Sequence, residues 1–455
     1  MSILRTTDNN WSSYKIEDEH DLKNLSKIAN KKIGDIKLEK DADFIVFPPD
    51  SIKYHDDIKD SPIFRLSPEG VLTTENIMGF VGFNDTQLTI SSRFTQDNKT
   101  DYFLHYMLQK VLSINLVNLD VSNNSDSVWD FYLYLFPRYL NNALKQGLYK
   151  AYRHFEYNDA NVKGTIDVKR HLRLNMPFAG KIAYKTKEFS YDNPVTQLIR
   201  HTIEYIKTNS FTGNILTGNS DVADDIKQII SATPSYNKND RQNIISKNSK
   251  FAAHPLFTEY KSLQKISLNI LRHKKLSFGN GKDKIYGLLF DGAWLWEEYL
   301  NTILKTKFEH TENKTGKGRM YLFNKNDGIP FQTIYPDFIS KDNQFENKIV
   351  GDAKYIPLDK QSEYGESEKA TSIYYKTITY LYRLNSKRGF LFFPTASDYK
   401  SETYKIIETD GSLTKIGFTI PQGNKDSFGR FRSAMEEAEK QFVNEIDKQS
   451  KNVNE

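Results

Sequence analysis

Short runs of apolar residues, alternating or broken by turn residues, make the first hundred positions of the chain read as mostly β. DADFIVFPPD (41–50) is an apolar strand stopped by Pro48-Pro49, and NIMGFVGFNDTQLTISSRF (76–94) is two runs meeting at Asn84-Asp85, a hairpin signal. From about 101 the period lengthens. DYFLHYMLQKVL and VWDFYLYLFPRYLNNALKQGLY repeat apolar residues at helical spacing, and Pro137 is expected to kink the second helix or to begin a segment of it. NVKGTIDVKRHLRLN (161–175) predicts a strand or turn passing into a short basic helix. Asp192-Asn193-Pro194 opens another helix, with Leu198, Ile199, Ile203 and Ile206 on its apolar side. A loop-like stretch, 208–221, separates it from further helices. The Gly/Lys-rich KKLSFGNGKDKIYG (274–287) is the best domain boundary. Beyond it the order is a helix at 293–308, strands near 320–323, 334–339 and 348–354, a helix at 370–384, a strand at 389–394 and another near YKIIET. A charged amphipathic helix ends the chain, with SKNVNE frayed. The prediction is a multidomain protein of α/β and α+β class. Residues 1–100 form a β-rich region, 101–275 a mainly helical one, and 276–455 a mixed sheet flanked by helices.

Composition narrows the class without naming a chemistry. At 455 residues, 38% hydrophobic and 27% charged, the chain suits a soluble globular protein of two or three domains. The 27 Tyr and 29 Phe serve cores first and base stacking second. A net charge of +5 permits a phosphate-contacting groove without demanding one. With no Cys, disulfides and Cys-ligated zinc are excluded. The N-terminal segment lacks the apolar core of a signal peptide and no apolar run is long enough to cross a bilayer, so a cytoplasmic protein is the expectation.

The candidate chemistry lies in IYPDFISKDNQFENKIVGDAKYIPL (334–358). Asp337 precedes Asp352 by fifteen residues, which suits two adjacent antiparallel strands joined by a polar turn. Asp352 and Lys354, at i and i+2 of a strand, share a face, and the carbonyl of Ala353 between them is available. Two carboxylates and a backbone carbonyl offer the oxygen ligands that Mg²⁺, or Mn²⁺ in its place, prefers. A neighbouring ammonium would ease hydroxide formation and stabilise a pentavalent phosphorane. Glu297, on the helix with Trp294, Trp296 and Leu300, is placed to complete or orient that site, with Glu298 as the competing choice. A D-x-K triplet alone is a frequent accident, and a hairpin with charged ends has the same letters. Here the strand-borne charges follow apolar runs in a coherent α-β-β-α-β order.

These residues carry a family resemblance. YPDFI…KIVGDAKYIPL resembles the PD-(D/E)xK nuclease signature. The order NIMGFVGFNDTQLTISSRF, KGTID (163–167), DNPVTQLI, LWEEY (295–299), YPDFI and GDAKY resembles the McrC-like subunits of McrBC-type, including LlaJI-like, restriction systems. The resemblance implies a PD-(D/E)xK nuclease domain in 276–455, with Asp337, Asp352 and Lys354 as its catalytic triad, Glu297 as a supporting acid and Mg²⁺ as cofactor. It also implies a partner, a hexameric McrB-like AAA+ GTPase that binds the GTP and is contacted through the N-terminal region. The substrate would be double-stranded DNA, cut by paired nuclease domains of a homodimer. The chain has no G-x-x-x-x-G-K-[S/T] loop of its own. It departs from the pattern in placing Lys376 near where relatives often carry a Gln, and in its extra sequence ahead of Thr73.

Lys376, Arg383, Lys387 and Arg388 are candidates for DNA phosphate contact, and Arg93, at the end of the hairpin, for reach into the partner's nucleotide site. The basic cluster Lys169, Arg170, His171 and Arg173 reads first as a solvated helix face. His105, His154 and His201 show no metal-ligand spacing. Three functions follow: a Mg²⁺-dependent endonuclease subunit driven by a partner GTPase, a non-catalytic adaptor of an AAA+ ring, or a stand-alone repair nuclease.

Overall fold

A computed structural model describes residues 2–11, 14–38, 42–48, 58–95, 101–112, 125–208, 216, 220–251, 254–272, 285–311, 319–342, 344–345, 347–359, 368–422 and 427–451. The chain divides into two compact units, one of residues 1–123 with 278–455 and one of residues 124–277. The middle of the chain is set apart, with one edge inside the Gly/Lys-rich joint. The first hundred residues and the C-terminal part, expected as separate domains, are one unit.

The reason lies in one strand. Ile285–Asp291 is apolar on both faces and inserts between Ala42–Phe47, to which it runs parallel, and Ile77–Phe83, to which it runs antiparallel. Thr86–Ser91 and Ser2–Thr7 complete this five-stranded sheet. The Asn84-Asp85 turn forms as expected, with Asn84 in the left-handed region at φ 53°. Gly79, at φ 119°, is a close-approach site: a Cβ there would lie 2.1 Å from the Leu288 carbonyl oxygen.

The second sheet of this unit carries the site. Its order is Phe308–His310, Phe338–Ser340, Ile349–Ala353, Arg388–Thr395, Ser412–Thr419 and Glu402–Lys405. The central three run parallel and are buried along nearly their whole length, as strands covered on both faces are. The helices Gly292–Leu304 and Glu368–Leu384 pack on Ile349–Ala353, and Phe428–Lys451 packs on Ser412–Thr419. The expected strand at 334–339 is broken in two. Pro330–Ile334 pairs with Met320–Asn324 in a separate ribbon, and Phe338–Ser340 joins the sheet. Pro336, which has no N–H to give a ladder, stands at the break.

Gly351 shows how tightly the central strand is held. A Cβ there would sit 2.5 Å from Cε2 of Phe392 and 3.2 Å from Cβ of Phe338, both side chains being buried. Gly351→Val is therefore expected to cost about 1–3 kcal/mol, the usual range for forcing volume into a packed core. A melting temperature unchanged from wild type would contradict this packing.

The middle unit was expected to be mainly helical. Helices such as Ser125–Leu144, Pro194–Lys207 and Glu259–Arg272 are present, but so is a sheet of Ala151–Asp159, Ile182–Ser190 and Thr165–Ile166. The Pro194 helix opens as expected, with the Asn193 side chain accepting from the Val195 and Thr196 N–H groups. Pro137 lies inside Ser125–Leu144 and does not begin a segment. The final SKNVNE falls mostly outside the described residues. Among the described residues no helix is long and apolar enough to cross a membrane.

Candidate active site

Asp337 and Asp352 meet where two antiparallel strands begin and end. Phe338 pairs with Gly351, which places Asp337 just ahead of one strand beside the last residues of the other. The turn at Asp337 is pinned from two sides. Tyr380, on the helix Glu368–Leu384, donates its hydroxyl to the Tyr335 carbonyl at 2.9 Å. Thr311 donates its hydroxyl to the Pro336 carbonyl and its N–H to the Asp337 carbonyl, the latter at 3.2 Å. The Asp337 carboxylate in turn accepts the Ala353 N–H at 2.8 Å. Asp352 is wholly buried and ion-paired with the Lys354 ammonium, as their shared strand face requires. The Lys354 N–H is fixed by the Phe392 carbonyl at 2.8 Å.

The electrostatics separate the two acids. Burial drives Asp337 well above the usual carboxylate range, and the charges of Asp352 and Glu297 push it further. Burial would raise Asp352 too, but Lys354 and Lys376 outweigh it and hold that carboxyl below its ordinary value. Lys354 is likewise penalised by burial, yet Asp352 and Asp337 keep it above its ordinary value and charged. Two carboxyls packed together away from water repel unless a proton or a cation stands between them. The raised Asp337 reflects that repulsion, which a shared proton or a hard cation between the two carboxyls would relieve. No group of three His, Cys, Asp or Glu among the described residues is arranged to hold a metal ion. The oxygens on offer are then the carboxylates of Asp337 and Asp352, a small set that suits an ion keeping several waters.

Glu297 is close enough to raise Asp337, but its Oε1 is engaged by His310 Nε2 at 2.9 Å. That histidine is buried against Phe338, with ring centroids 5.3 Å apart. Neither His310 nor the pinning residues Thr311 and Tyr380 stood out in the sequence, where nothing marks a side chain by what it will face across strands.

The flanking cations are sorted by the fold. Lys376 is exposed and near enough to act on Asp352. Arg383 is exposed and donates its Nε to the Tyr321 carbonyl at 2.7 Å. Lys387 pairs with Asp410 at the surface. Arg388, expected to face phosphate, is instead 6% exposed as the first residue of a buried central strand.

Arg93 also departs from expectation. Its side chain is 12% exposed and turned inward. It faces Asp8, with Nε 3.5 Å from Oδ2, and donates through Nη2 to Asn76 Oδ1 at 2.9 Å and to the Tyr355 carbonyl. Its guanidinium lies 4.9 Å from the centre of the Tyr355 ring. So placed, the guanidinium is turned toward Asp8, Asn76 and Tyr355 and not toward the surface. Asp8 carries a pH signature. Burial, outweighing Arg93, pushes its carboxyl up to about 7. The folded chain then binds more protons than the unfolded one above the ordinary carboxylate pKa, so stability falls as pH rises toward 7. Wild type is expected to lose about 2–3 kcal/mol through this group between about pH 5 and about pH 8. Asp8→Asn should flatten that part of the melting profile; an equal slope in both proteins would reject it.

A model of the family described as McrBC 5-methylcytosine restriction system component matches residues 72–394. Among curated proteins none matches. Two solved structures from Thermococcus gammatolerans are similar at 13% identity. The half-complex of McrB AAA+ hexamers with bound McrC covers 96% of this chain and 100% of that chain at a TM-score of 0.44. The McrBC complex covers 67% of this chain and 87% of that chain at a TM-score of 0.32.

Proposed function

We propose, starting from the fact that the chain belongs to the McrBC 5-methylcytosine restriction system component family, that it is the McrC-like DNA-cutting subunit of such a system. The observation that carries the proposal is the buried cluster of Asp337, Asp352 and Lys354 at the strand ends of one sheet. In this reading the sheet is that of a PD-(D/E)xK nuclease. Asp337, Asp352 and the Ala353 carbonyl hold Mg²⁺. Bound there, Mg²⁺ supplies the activation of water and the neutralisation of charge on the leaving oxygen. Lys354, kept charged by its two acids, faces the charge that develops on the phosphoryl group. The pinned turn and the buried Asp352 fix the carboxylates before DNA arrives. Glu297, held by His310, contributes its field at Asp337. Lys376, exposed beside the site, is positioned for a DNA phosphate.

The partner in this reading is a McrB-like AAA+ GTPase, which binds the GTP and is stimulated by this chain. Its contact is assigned to the tip of the middle unit and not to the first hundred residues. There Val168, Leu172, Met176 and Phe178 are each more than half exposed, among the exposed cations Lys163, Lys169, Arg173 and Lys181. Large exposed apolar side chains set close in the chain among cations make a surface that a protein partner could cover.

The test is co-purification with the AAA+ partner and a cleavage assay on modified and unmodified DNA. Cleavage is expected with GTP and Mg²⁺ and its loss with a chelator. Absence of cutting under all conditions, with the partner's GTPase still stimulated, would favour the adaptor.

A further inference from the structure

We propose that Arg93 is a positioning residue for the nuclease site, holding the chain that follows Lys354 through its grip on the Tyr355 carbonyl. The inference rests on the nuclease reading above. Tyr355 is the residue after the lysine, and the N-terminal hairpin and its end hold its carbonyl, its hydroxyl and its ring. Its carbonyl accepts from Arg93 Nη2, its hydroxyl meets Ser92 Oγ at 2.9 Å, and its ring packs edge-on against Phe94 at 5.1 Å. On the other side the Lys354 N–H is fixed by Phe392. The segment carrying the ammonium is thus clamped by its own sheet before it and by the other sheet after it.

The clamp has its own support. Arg93 is held by Asp8, which also accepts the Arg93 backbone N–H at 2.6 Å, and by Asn76. The carbonyl of Asn76 accepts the N–H of Gly292 at 2.8 Å, at the start of the helix that bears Glu297. A Cβ on Gly292 would lie 2.7 Å from the Tyr355 ring, so helix, hairpin and lysine segment meet without spare room. A planar guanidinium can face a carboxylate, an amide oxygen and a carbonyl at once; an ammonium has no such fork. Residues that orient a catalytic group without touching substrate typically contribute about 10- to 100-fold.

The experiment compares wild type, Arg93→Met, Arg93→Lys, Tyr355→Phe and Asp352→Asn as full chains with the partner and GTP. Arg93→Met is expected to lower kcat for DNA cleavage about 10- to 100-fold with KM for DNA unchanged, and Arg93→Lys to recover part of the loss. Tyr355→Phe, which keeps the carbonyl that Arg93 grips and loses only the hydroxyl contact with Ser92, should lower kcat by less than Arg93→Met does. Should Arg93→Met fail to fold, Arg93→Lys decides: a kcat equal to wild type overturns the proposal and a partial loss at unchanged KM supports it. A folded Arg93→Met that cuts at the wild-type rate, or one that changes only KM, also overturns it. An Asp352→Asn protein that still cuts as wild type does would overturn the nuclease reading itself, and the clamp with it.

Discussion

Asp352→Asn is expected to abolish DNA cleavage, by a factor of about a thousand or more, while the partner's GTPase is still stimulated. The substitution keeps the volume of a side chain that is fully buried, so the packing of the central strand survives it. What it removes is charge. Asp352 is the acid that stays ionised in the pair, because Lys354 and Lys376 outweigh the cost of its burial. Without it the site offers only Asp337, the carboxyl that burial raises well above the usual range. Lys354 also loses the largest support for its own charge. Breaking a buried ion pair ordinarily costs about 3–5 kcal/mol. Here the loss of a neighbouring like charge relieves Asp337 and offsets part of it, so the folded protein should remain available for assay. Cleavage by the variant at the wild-type rate would remove the site assignment.

The central chemistry was legible in the sequence because it depends on local spacing. Asp352 and Lys354 share a face by the two-residue period of a strand, whatever surrounds them. The hairpin at Asn84-Asp85 and the helix opened by Asn193-Pro194 were legible for the same reason, since turn and cap chemistry act over a few residues. Relations across the chain were not legible. Arg93 and Tyr355 are separated by most of the sequence, and only the insertion of Ile285–Asp291 into the N-terminal sheet brings their surroundings together. Arg388 illustrates a different failure. A charged residue next to a glycine-led apolar run looked like a surface cation, but the parallel strand begins on it, and it is buried with the rest. The long strands Ala151–Asp159 and Ile182–Ser190 were missed because their outward positions carry Lys, Glu and His among the aromatics, which hides the alternation.

The shared sheet bears on how a partner contact can be tested. Removing the first hundred residues would take away four strands of the five-stranded sheet and leave Ile285–Asp291 without both neighbours. Such a deletion reports on folding, not on contact.

A double substitution at the tip of the middle unit, Leu172→Glu with Phe178→Glu, separates the two. Both side chains are exposed, 54% and 64%, so their replacement should change stability by no more than about 0.5 kcal/mol. The helix that carries Leu172 is held from within. Asp167 caps it by accepting the Arg170 N–H at 3.2 Å and pairs with Lys185 at 2.7 Å, which also lowers the Asp167 carboxyl. Glu156 pairs with Arg170 at 3.0 Å. Asp167 and Glu156 are thus paired with cations of the same unit, while exposed apolar side chains and further cations remain, a surface complementary to an acidic, apolar-lined one. Placing two carboxylates in the apolar patch reverses its character at the points where a partner would exclude water. Stimulation of the AAA+ partner's GTPase is expected to fall to the unstimulated rate, and the two proteins to elute separately, with the melting temperature unchanged. Full stimulation by the double variant would place the contact on another face.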